Sequence, residues 1–320
     1  MDGRAEPLGP VRRWHLGTPV GDAPDQGEAT VAFTAAELSA APGPAVPLHT
    51  AMSAELPRAE SVGVRLPEYR GKSLVPLLSW LIVHRLAAPG AEVAWNLHKQ
   101  QGPASCAALL TELGWQGVRH KREGRLVRIT GTPPATAELP AAKAFTATIG
   151  ARELGFLADY GVFSPGCVDS GTELLAEIAL KQTPVEALAD IGVGYGALAV
   201  GLVTNGIAGR AVATDVDCLA LWLAERNAAA NGVDLKVSCT PDPLKVETTR
   251  LTVCNVPTHI DAAQSAELMQ ALAQRALSGG TLLAVVHASL ESRYVAHLER
   301  AALAVRRHPG PTHVVLEAQR

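Results

Sequence analysis

Aromatic residues are scarce in this chain of 320 residues. They make up 4% of the sequence, whereas hydrophobic residues make up 48% and charged residues 18%. A core with few aromatics must be built mainly from Ala, Val and Leu, which suits layered α/β architecture better than a β-sandwich. Because the length is enough for two domains of ordinary size, we expect a globular protein with two α/β domains.

Regular cysteine spacing and long apolar runs are also missing. The five cysteines form no CxxC pair, which argues against a disulfide framework or a structural zinc site and favours reduced thiols in the cytoplasm. The ten histidines show no metal-ligand spacing, so we expect no metal. The first residues, MDGRAEPLGPVRR, lack the apolar region of a signal peptide, and no apolar run is long enough to span a membrane. We expect a cytoplasmic monomer.

The net charge of −3 argues against a strongly electrostatic nucleic-acid-binding protein. The charge is uneven, however, with 15 Lys/Arg against 13 Asp/Glu in residues 1–145 and 13 against 18 in residues 146–320. Any polyanion is therefore expected at the N-terminal half. The basic cluster around Lys121 and Arg122 either contacts RNA phosphates or is the solvated face of a hairpin.

Composition divides the chain into four parts. Residues 1–60 are rich in Ala, Pro and Gly and predict a partly extended arm with one or two short ordered pieces, in which Trp14 and the run Val31-Ala32-Phe33 are candidates to dock on a neighbouring domain. Residues 61–134 predict a small α/β domain, with helices over 74–86 and 105–113, a strand over 91–97 and a hairpin turn at Glu123-Gly124. A Pro/Ala-rich linker covers 135–150, and residues 151–320 form the second domain.

The second domain alternates between strands and helices. Helices are predicted over 170–180, 196–204, 217–230 and 262–277, and strands over 187–191, 210–214, 234–239, 251–254 and 281–287. Strands interleaved with helices pair in parallel through right-handed crossovers. The predicted fold class is therefore α/β, with an open doubly wound sheet preceded by a smaller α/β domain.

The strongest motif is Asp190-Ile191-Gly192-Val193-Gly194-Tyr195-Gly196, directly after the apolar strand. Its three alternating glycines allow a tight turn and close approach of a ligand, although a turn without a ligand has the same pattern. Asp215 ends the next strand, where a carboxylate accepts from both hydroxyls of an adenosine ribose or caps the following helix. The spacing GxGxG favours S-adenosylmethionine over NAD, whose fingerprint is GxGxxG.

Together with T-D-V-D and E-R-N-A-A-A-N-G-V, which follow it, this motif resembles the class I S-adenosylmethionine-dependent methyltransferases. The segments G-V-F-S and V-D-S-G-T-E-L-L, which precede it, are similar to the "small methyltransferase" group that includes bacterial rRNA guanine-N2 methyltransferases. In that group a degenerate α/β domain precedes the catalytic one. The resemblance is specific over residues 155–260 and loose over 65–135.

The resemblance implies a set of residues for binding S-adenosylmethionine. The glycines would cradle its methionine portion with Asp190 near the ammonium, Asp215 would hold the ribose, and Asp242 would lie near the adenine. Asp169 and Thr172 would close the site, although Asp169 is equally suited to capping a helix. The complete set is Asp169, Thr172, Asp190, Gly192, Gly194, Gly196, Asp215 and Asp242.

Family members that methylate amino nitrogens carry Asn/Asp-Pro-Pro-aromatic after the fourth strand. Here Asn255 and Pro257 match this motif and are the catalytic candidates, but Val256 replaces the first proline and Thr258 the aromatic residue. His259 would either supply a substitute plane for the base or cap the next helix. Phe163, Val256, Thr258 and His259 are the substrate-binding candidates of this domain.

The function implied by the resemblance is methylation of an exocyclic amine of guanine in rRNA, with S-adenosylmethionine as cofactor. The loss of the aromatic ring leaves three alternatives. One is a methyltransferase acting on a small metabolite, and another is a non-catalytic RNA-binding or scaffold protein that retains the fold. The third is a nucleotide-dependent oxidoreductase.

Overall fold

The structure, a computed structural model, describes residues 8–19, 25–67, 70–164, 166–258 and 260–320. The chain forms two compact units, Met1–Ala142 and Lys143–Arg320. Each unit is built on its own seven-stranded sheet. Among the described residues, no helix is long and apolar enough to cross a membrane.

The N-terminal unit combines seven strands with four short α-helices. The strands are β1 (Arg13–Leu16), β2 (Glu28–Ala32), β3 (Ala45–Pro47), β4 (Ala59–Arg65), β5 (Ala87–His98), β6 (Gln116–Glu123) and β7 (Leu126–Thr132). The helices are α1 (Ala35–Ala40), α2 (Leu48–Ser53), α3 (Val75–Leu81), which continues into a π-helical turn over Ile82–Leu86, and α4 (Pro103–Glu112). The strand order is β3-β2-β1-β4-β5-β7-β6.

The C-terminal unit begins with a two-stranded hairpin and continues as a larger α/β sheet. Its strands are β8 (Ala144–Ile149), β9 (Arg152–Leu157), β10 (Val185–Ile191), β11 (Ala208–Asp215), β12 (Leu235–Cys239), β13 (Leu251–Asn255), β14 (Thr281–His287), β15 (Ala304–Pro309) and β16 (His313–Gln319). Its helices are α5 (Ser170–Ala179), α6 (Ala197–Thr204), α7 (Cys218–Ala230), α8 (Ala262–Leu277) and α9 (Glu291–Arg300).

The two sheets share one topology. The C-terminal order is β12-β11-β10-β13-β14-β16-β15, which matches the N-terminal order strand for strand. In both sheets the first five strands in the order run parallel, and the last two pair antiparallel. The prediction of a doubly wound α/β sheet preceded by a second α/β domain is confirmed. The sequence predicts parallel pairing of the strands in the C-terminal sheet. The structure differs at one edge of that sheet, where an antiparallel pair of strands closes it.

The predicted arm over residues 1–60 is wrong for the described part of that segment. Strands β1, β2 and β3 lie in the N-terminal sheet, and Trp14, Val31 and Leu48 are fully buried. These strands have only three to five residues, too few to show a clear alternation in the sequence. The sequence does contain the signal for a helix start at Thr34. The Thr34 side chain accepts from the Glu37 N–H, and the Glu37 side chain accepts from the Thr34 N–H. This capping box starts α1.

The predicted linker over residues 135–150 also differs from the structure. The boundary between the units falls inside it, but its last part forms β8, which pairs antiparallel with β9. The Asn227 side chain of α7 holds the end of this hairpin, donating to the Leu157 carbonyl at 2.9 Å and accepting from the Leu157 N–H at 2.7 Å. The C-terminal unit therefore begins at Lys143.

Helices cover both faces of the C-terminal sheet. Helix α8 packs through Met269 and Leu272 on the face that includes Ile191 and Leu282. Because side chains alternate along a strand, Val253 and Val285 lie on the opposite face, where α5 packs. Burial on both faces fixes the sheet and brings the carboxyl ends of β10, β11 and β13 to one edge.

Candidate active site

The loop after β10 turns sharply through three glycines. Gly192, Gly194 and Gly196 have φ values of +76°, +56° and +94°, in the left-handed region where a side chain is unfavourable. A Cβ atom at Gly192 or Gly194 would meet open space, whereas one at Gly196 would crowd Ala224 of α7. The first two glycines therefore leave the loop's backbone open to a ligand, and the third allows close packing of α6 against α7.

Asp190, next to the end of β10, is buried with 1% of its surface exposed. One carboxylate oxygen accepts from the Ala199 N–H at 3.0 Å, and the other, Oδ1, has no hydrogen-bond partner among the described residues. Burial, together with a smaller effect of the nearby charge of Asp215, raises the pKa of Asp190 to about 7. A buried carboxylate with a free oxygen is a place where a cationic group would be favoured.

Asp215 joins the end of β11 to the glycine loop. Its two oxygens accept from the Gly194 N–H and the Asp217 N–H, both at 2.9 Å. Burial raises the pKa of Asp215 to about 6, so the carboxylate is ionised at neutral pH. Helix α7 is capped by Asp217 rather than by Asp215. The alternative of Asp215 as a simple helix cap is therefore wrong.

Asp242 follows β12 and lies on the same side of the site as Asp215. Its side chain accepts from the Leu244 N–H at 2.9 Å and caps the short helical turn Pro243–Lys245. The same residue lines the cleft described below, together with Thr240 and Val216. Its capping bond leaves one carboxylate oxygen to face a ligand.

Three side chains from two distant segments meet at the end of β13. The Asn255 amide nitrogen donates to Thr172 Oγ1 at 2.9 Å and to the Asp169 carboxylate at 3.3 and 3.4 Å. Asp169 also caps α5 by accepting from the backbone of Gly171 and Thr172, and it accepts from the Thr172 hydroxyl. The prediction that Asp169 caps a helix is confirmed, and the same carboxylate also contacts Asn255.

This contact fixes which end of the Asn255 amide faces Asp169. An ionised carboxylate only accepts hydrogen bonds, and Thr172 has already given its hydroxyl proton to Asp169. Asn255 must therefore present its NH₂ group to both of them. Its oxygen is left as an acceptor on the other side of the amide, with no hydrogen-bond partner among the described residues.

The rest of the loop after β13 lies along the same space. Val256 is buried and its N–H donates to the Val285 carbonyl at 3.0 Å, whereas Pro257 and Thr258 are exposed. His259 lies outside the described residues. Phe163, from the segment that leads into α5, is 65% exposed.

One cleft of about 650 Å³ lies at the carboxyl edge of the sheet. This volume is in the range of small-molecule and cofactor sites. The predicted site residues that line it are Phe163, Asp169, Thr172, Gly192, Gly194, Asp215, Asp242, Asn255, Val256, Pro257 and Thr258. Asp190 and Gly196 lie behind this lining and do not belong to it. Sequence reasoning missed several lining residues, among them Tyr195, Val216, Thr240 and His313. Tyr195 and Val216 adjoin predicted residues in the sequence, but His313 comes from β16, which no pattern linked to the site. Among the described residues, no cluster of His, Cys, Asp and Glu could hold a metal.

Lys121 and Arg122 lie in the N-terminal unit, on β6. Both are exposed, and successive residues of a strand point to opposite faces. Lys121 pairs with Arg128 of β7, so these two cations share a face, and Arg122 lies on the other one. The hairpin predicted around Glu123-Gly124 is confirmed.

Comparison with known proteins agrees with this geometry. Residues 153–307 match the family model of the methyltransferase small domain. The chain is 30% identical over 164 residues to ribosomal RNA small subunit methyltransferase C of Hahella chejuensis, covering 50% of this chain and 45% of the relative. It is 31% identical over 191 residues to the protein of the same name from Pseudomonas aeruginosa, covering 58% and 54%. The matches thus span about half the length of these relatives.

A solved structure resembles the whole chain. The T. thermophilus 16S rRNA N2 G1207 methyltransferase, in complex with AdoMet and guanosine, superposes with a TM-score of 0.71 at 24% identity. The superposition covers 99% of this chain and 90% of that one, and it shows that the fold is shared.

Fold and site together define the C-terminal unit as a class I S-adenosylmethionine-dependent methyltransferase domain. Residues 153–307 match the methyltransferase small domain over just under half of the chain. This match favours a methyltransferase over the nucleotide-dependent oxidoreductase considered from the sequence.

Proposed function

We propose that this protein transfers a methyl group from S-adenosylmethionine to the exocyclic N2 amine of guanine in ribosomal RNA. The observation that carries the proposal is the orientation of Asn255, whose amide oxygen is directed away from Asp169 and Thr172 and left to accept from a substrate amine. This is the chemistry needed at a nitrogen that must be held by its N–H groups while its lone pair reacts.

The residues at the ends of β10 and β11 fit S-adenosylmethionine. The partnerless oxygen of Asp190 suits the ammonium of the methionine portion. The open backbone at Gly192 and Gly194 suits close approach of the same portion, and Asp215 suits the ribose hydroxyls. Asp242, Thr240 and Val216 would border the adenine. When bound, the cofactor supplies an electrophilic methyl group on a sulfonium.

The residues of β13 would position the acceptor amine. The Asn255 oxygen and the Val256 carbonyl would accept its two N–H groups and aim the nitrogen lone pair at the methyl group. Val256 is buried and hydrogen-bonded to β14, and Pro257 restricts the next backbone angle, so this loop is held in one conformation. Alignment and exclusion of water, rather than a strong base, would account for the rate.

The relatives support the choice of substrate. Two of them are named as methyltransferases of small-subunit ribosomal RNA, and the structural neighbour was solved with guanosine. The structural neighbour is also named as a methyltransferase of guanine N2, and we carry this target atom over to the present chain as part of the proposal. An rRNA substrate would also place the protein in the cytoplasm.

The N-terminal unit would contact RNA phosphates through the face that carries Lys121. Lys121 pairs with Arg128, Arg128 with Asn96, and Asn96 with Arg65, so one row of side chains crosses β6, β7, β5 and β4 on a single face. Three of its four members are cationic, which suits a polyanion. Arg70, which lies in the same unit, is 5% exposed and is therefore not placed in this contact.

Incubation of the purified protein with labelled S-adenosylmethionine and unmodified 16S rRNA tests the proposal. The RNA is digested to nucleosides and the labelled product is identified by mass spectrometry. We expect N2-methylguanosine with the parent protein and none with Asn255→Ala. Label in another nucleoside would move the target atom, and label only in small metabolites would favour the metabolite alternative.

A further inference from the structure

An exposed aromatic ring lies on the cleft. Among the described residues, Phe163, Val216 and Leu244 are the large hydrophobic side chains that remain exposed, at 65%, 51% and 47%. Phe163 and Val216 line the cleft. Tyr195 and His313 are the other ring-bearing residues of the described cleft lining. Tyr195 is buried and its hydroxyl donates to the Cys167 carbonyl at 3.1 Å, whereas the His313 ring packs edge-on with His287 at a centroid distance of 5.5 Å. Phe163 is therefore the aromatic residue there with a free face.

The backbone around Phe163 is shaped by unusual conformations. Tyr160 and Ser164 have φ values of +58° and +52°, which side-chain-bearing residues seldom adopt, and Gly161 and Gly166 are also left-handed. Strained residues of this kind persist where the surroundings hold them, often at functional sites. The Ser164 hydroxyl donates to the Cys167 carbonyl at 2.9 Å and closes the turn that follows Phe163.

Buried residues hold both sides of this turn. Val162 and Val168 are buried, whereas Phe163 between them points its ring out of the core. The segment then reaches Asp169, which contacts Asn255 at the end of β13. Val216, by contrast, follows Asp215 at the end of β11. The chain therefore connects Phe163 to the Asn255 side of the cleft and Val216 to the Asp215 side.

The loop after β13 lacks a ring of its own. Thr258 stands at the position where the resemblance expects an aromatic residue, and it is exposed on the cleft. A hydroxyl and a methyl group offer no plane on which a base can stack. The cleft thus has an exposed ring without a partner at Phe163 and a missing ring at Thr258.

We propose that Phe163 is the substrate-binding residue that stacks on the acceptor guanine, in place of an aromatic residue at position 258. The inference rests on the proposed function, because it takes an unstacked guanine as the group in the cleft. It makes the segment before α5 a determinant of base recognition. That segment would then supply both the stacking plane and, through Asp169 and Thr172, the orientation of Asn255.

Four variants test this inference: Phe163→Leu, Phe163→Trp, Leu244→Ala and the double variant Phe163→Leu/Thr258→Phe. Steady-state methylation of 16S rRNA gives kcat and KM for each, and calorimetry gives the Kd for S-adenosylmethionine. Loss of the ring in Phe163→Leu should raise the KM for RNA at least tenfold, with kcat and the cofactor Kd within about twofold of the parent. Phe163→Trp should keep the parental KM. Leu244→Ala, which removes an exposed apolar side chain outside the cleft lining, is the control and should leave the KM for RNA unchanged.

The double variant separates stacking from a structural role. If a ring at position 258 can stack on the base as well, Phe163→Leu/Thr258→Phe should lower the KM for RNA most of the way back to the parental value. Parental KM in Phe163→Leu, or a weakened cofactor Kd in step with the KM, would overturn the inference and make Phe163 a wall of the cofactor site. Failure of the parent protein to methylate rRNA would instead contradict the proposed function. The activity of the parent protein is therefore measured before the variants are compared.

Discussion

The two units of this protein share a strand order but differ in the polar groups at the ends of their strands. Their first turns still correspond. Gly17 after β1 and Gly192 after β10 have φ values of +81° and +76°, and each donates its N–H at 2.9 Å to the second-last residue of the neighbouring strand. The acceptors are the carbonyls of Val31 in β2 and Thr214 in β11. The sheet and its first turn thus form with or without a cofactor site.

The polar groups at the strand ends differ. The topology aligns Asp190 with His15, Asp215 with Ala32 and Asn255 with Arg65. Both loops after the fourth strand end in proline, Arg65-Leu66-Pro67 in one unit and Asn255-Val256-Pro257 in the other. The N-terminal unit therefore has neither the ribose carboxylate nor the amide acceptor, although its backbone is similar.

The faces of the two sheets also differ. Helices α5 and α6 cover one face of the C-terminal sheet, whereas the described residues on either side of β1, 8–12 and 17–19, contain no helix. The N-terminal sheet has a polar cavity of about 120 Å³ lined by residues such as Arg13, His15, Arg65 and Arg128, against about 650 Å³ for the cleft. The two units are therefore distinguished by Asp190, Asp215 and Asn255 at the strand ends, and not by their strand order.

The largest expected effect comes from replacing Asn255 of β13 with arginine, the residue at the corresponding position of β4. Asn255→Arg, and likewise Asn255→Ala, removes the oxygen that would accept from the amine, so we expect kcat to fall by about 10²–10³-fold, as for loss of a positioned polar group. Single-turnover methylation measures this rate. Asn231→Ala, an asparagine that holds the β9 hairpin outside the cleft, should keep a rate near that of the parent. A rate for Asn255→Ala within threefold of the parent would remove Asn255 from the chemistry.

A second substitution replaces Asp215 of β11 with alanine, the residue at the corresponding position of β2. Asp215→Ala should weaken S-adenosylmethionine binding by about 1–3 kcal/mol, because the ribose hydroxyls lose their acceptor and the Gly194 N–H loses its partner. Calorimetry with the purified protein measures the Kd. Asp234→Ala, which removes an exposed carboxylate in the turn before β12, is the matched control and should bind as the parent does. Equal Kd values for the two variants would contradict the role given to Asp215.

The raised pKa of Asp190 predicts a pH-dependent stability of the C-terminal unit. The folded pKa is about 7 and the unfolded value about 3.9, so the folded protein binds this proton more tightly. Its contribution to the free energy of unfolding is therefore complete below about pH 4 and is lost as the pH rises towards 7. Urea unfolding of the cofactor-free protein at pH 5 to 8 should show a fall that is smaller in Asp190→Asn by about 1 kcal/mol or more. Parallel curves for the two proteins would contradict the raised pKa.

The smallest effect is expected on the N-terminal sheet. Lys121→Glu should weaken RNA binding several-fold and lower the slope of log affinity against log salt by about one, because Lys121 lies on the face with Arg128. Arg122→Glu, on the opposite face, should have less effect. Filter binding at three salt concentrations distinguishes the two variants, and S-adenosylmethionine affinity should be unchanged in both. Equal affinity of parent and Lys121→Glu would make this face a solvated edge.

The sequence predicts the structure of the C-terminal unit better than that of the N-terminal unit. In the C-terminal unit, long helices and the motif from Asp190 to Gly196 made the elements and the cofactor loop predictable. In the N-terminal unit, β1 to β3 are too short for periodicity, so the sequence indicates Trp14 and Val31 as residues that dock but not as parts of strands. The contact of Asn255 with Asp169 joins residues 86 apart, and His313 enters the cleft from an antiparallel strand. Such contacts depend on tertiary packing and leave no local pattern in a sequence.

The central claim is that Asn255 directs methyl transfer to guanine N2 of ribosomal RNA, and mass mapping of rRNA in cells tests it most directly. A strain that lacks the gene is complemented with the parent or with Asn255→Ala, and 16S rRNA fragments are compared by mass spectrometry. We expect one N2-methylguanosine to disappear on deletion, to return with the parent and to stay missing with Asn255→Ala. Identical rRNA modification in all three strains would contradict the claim.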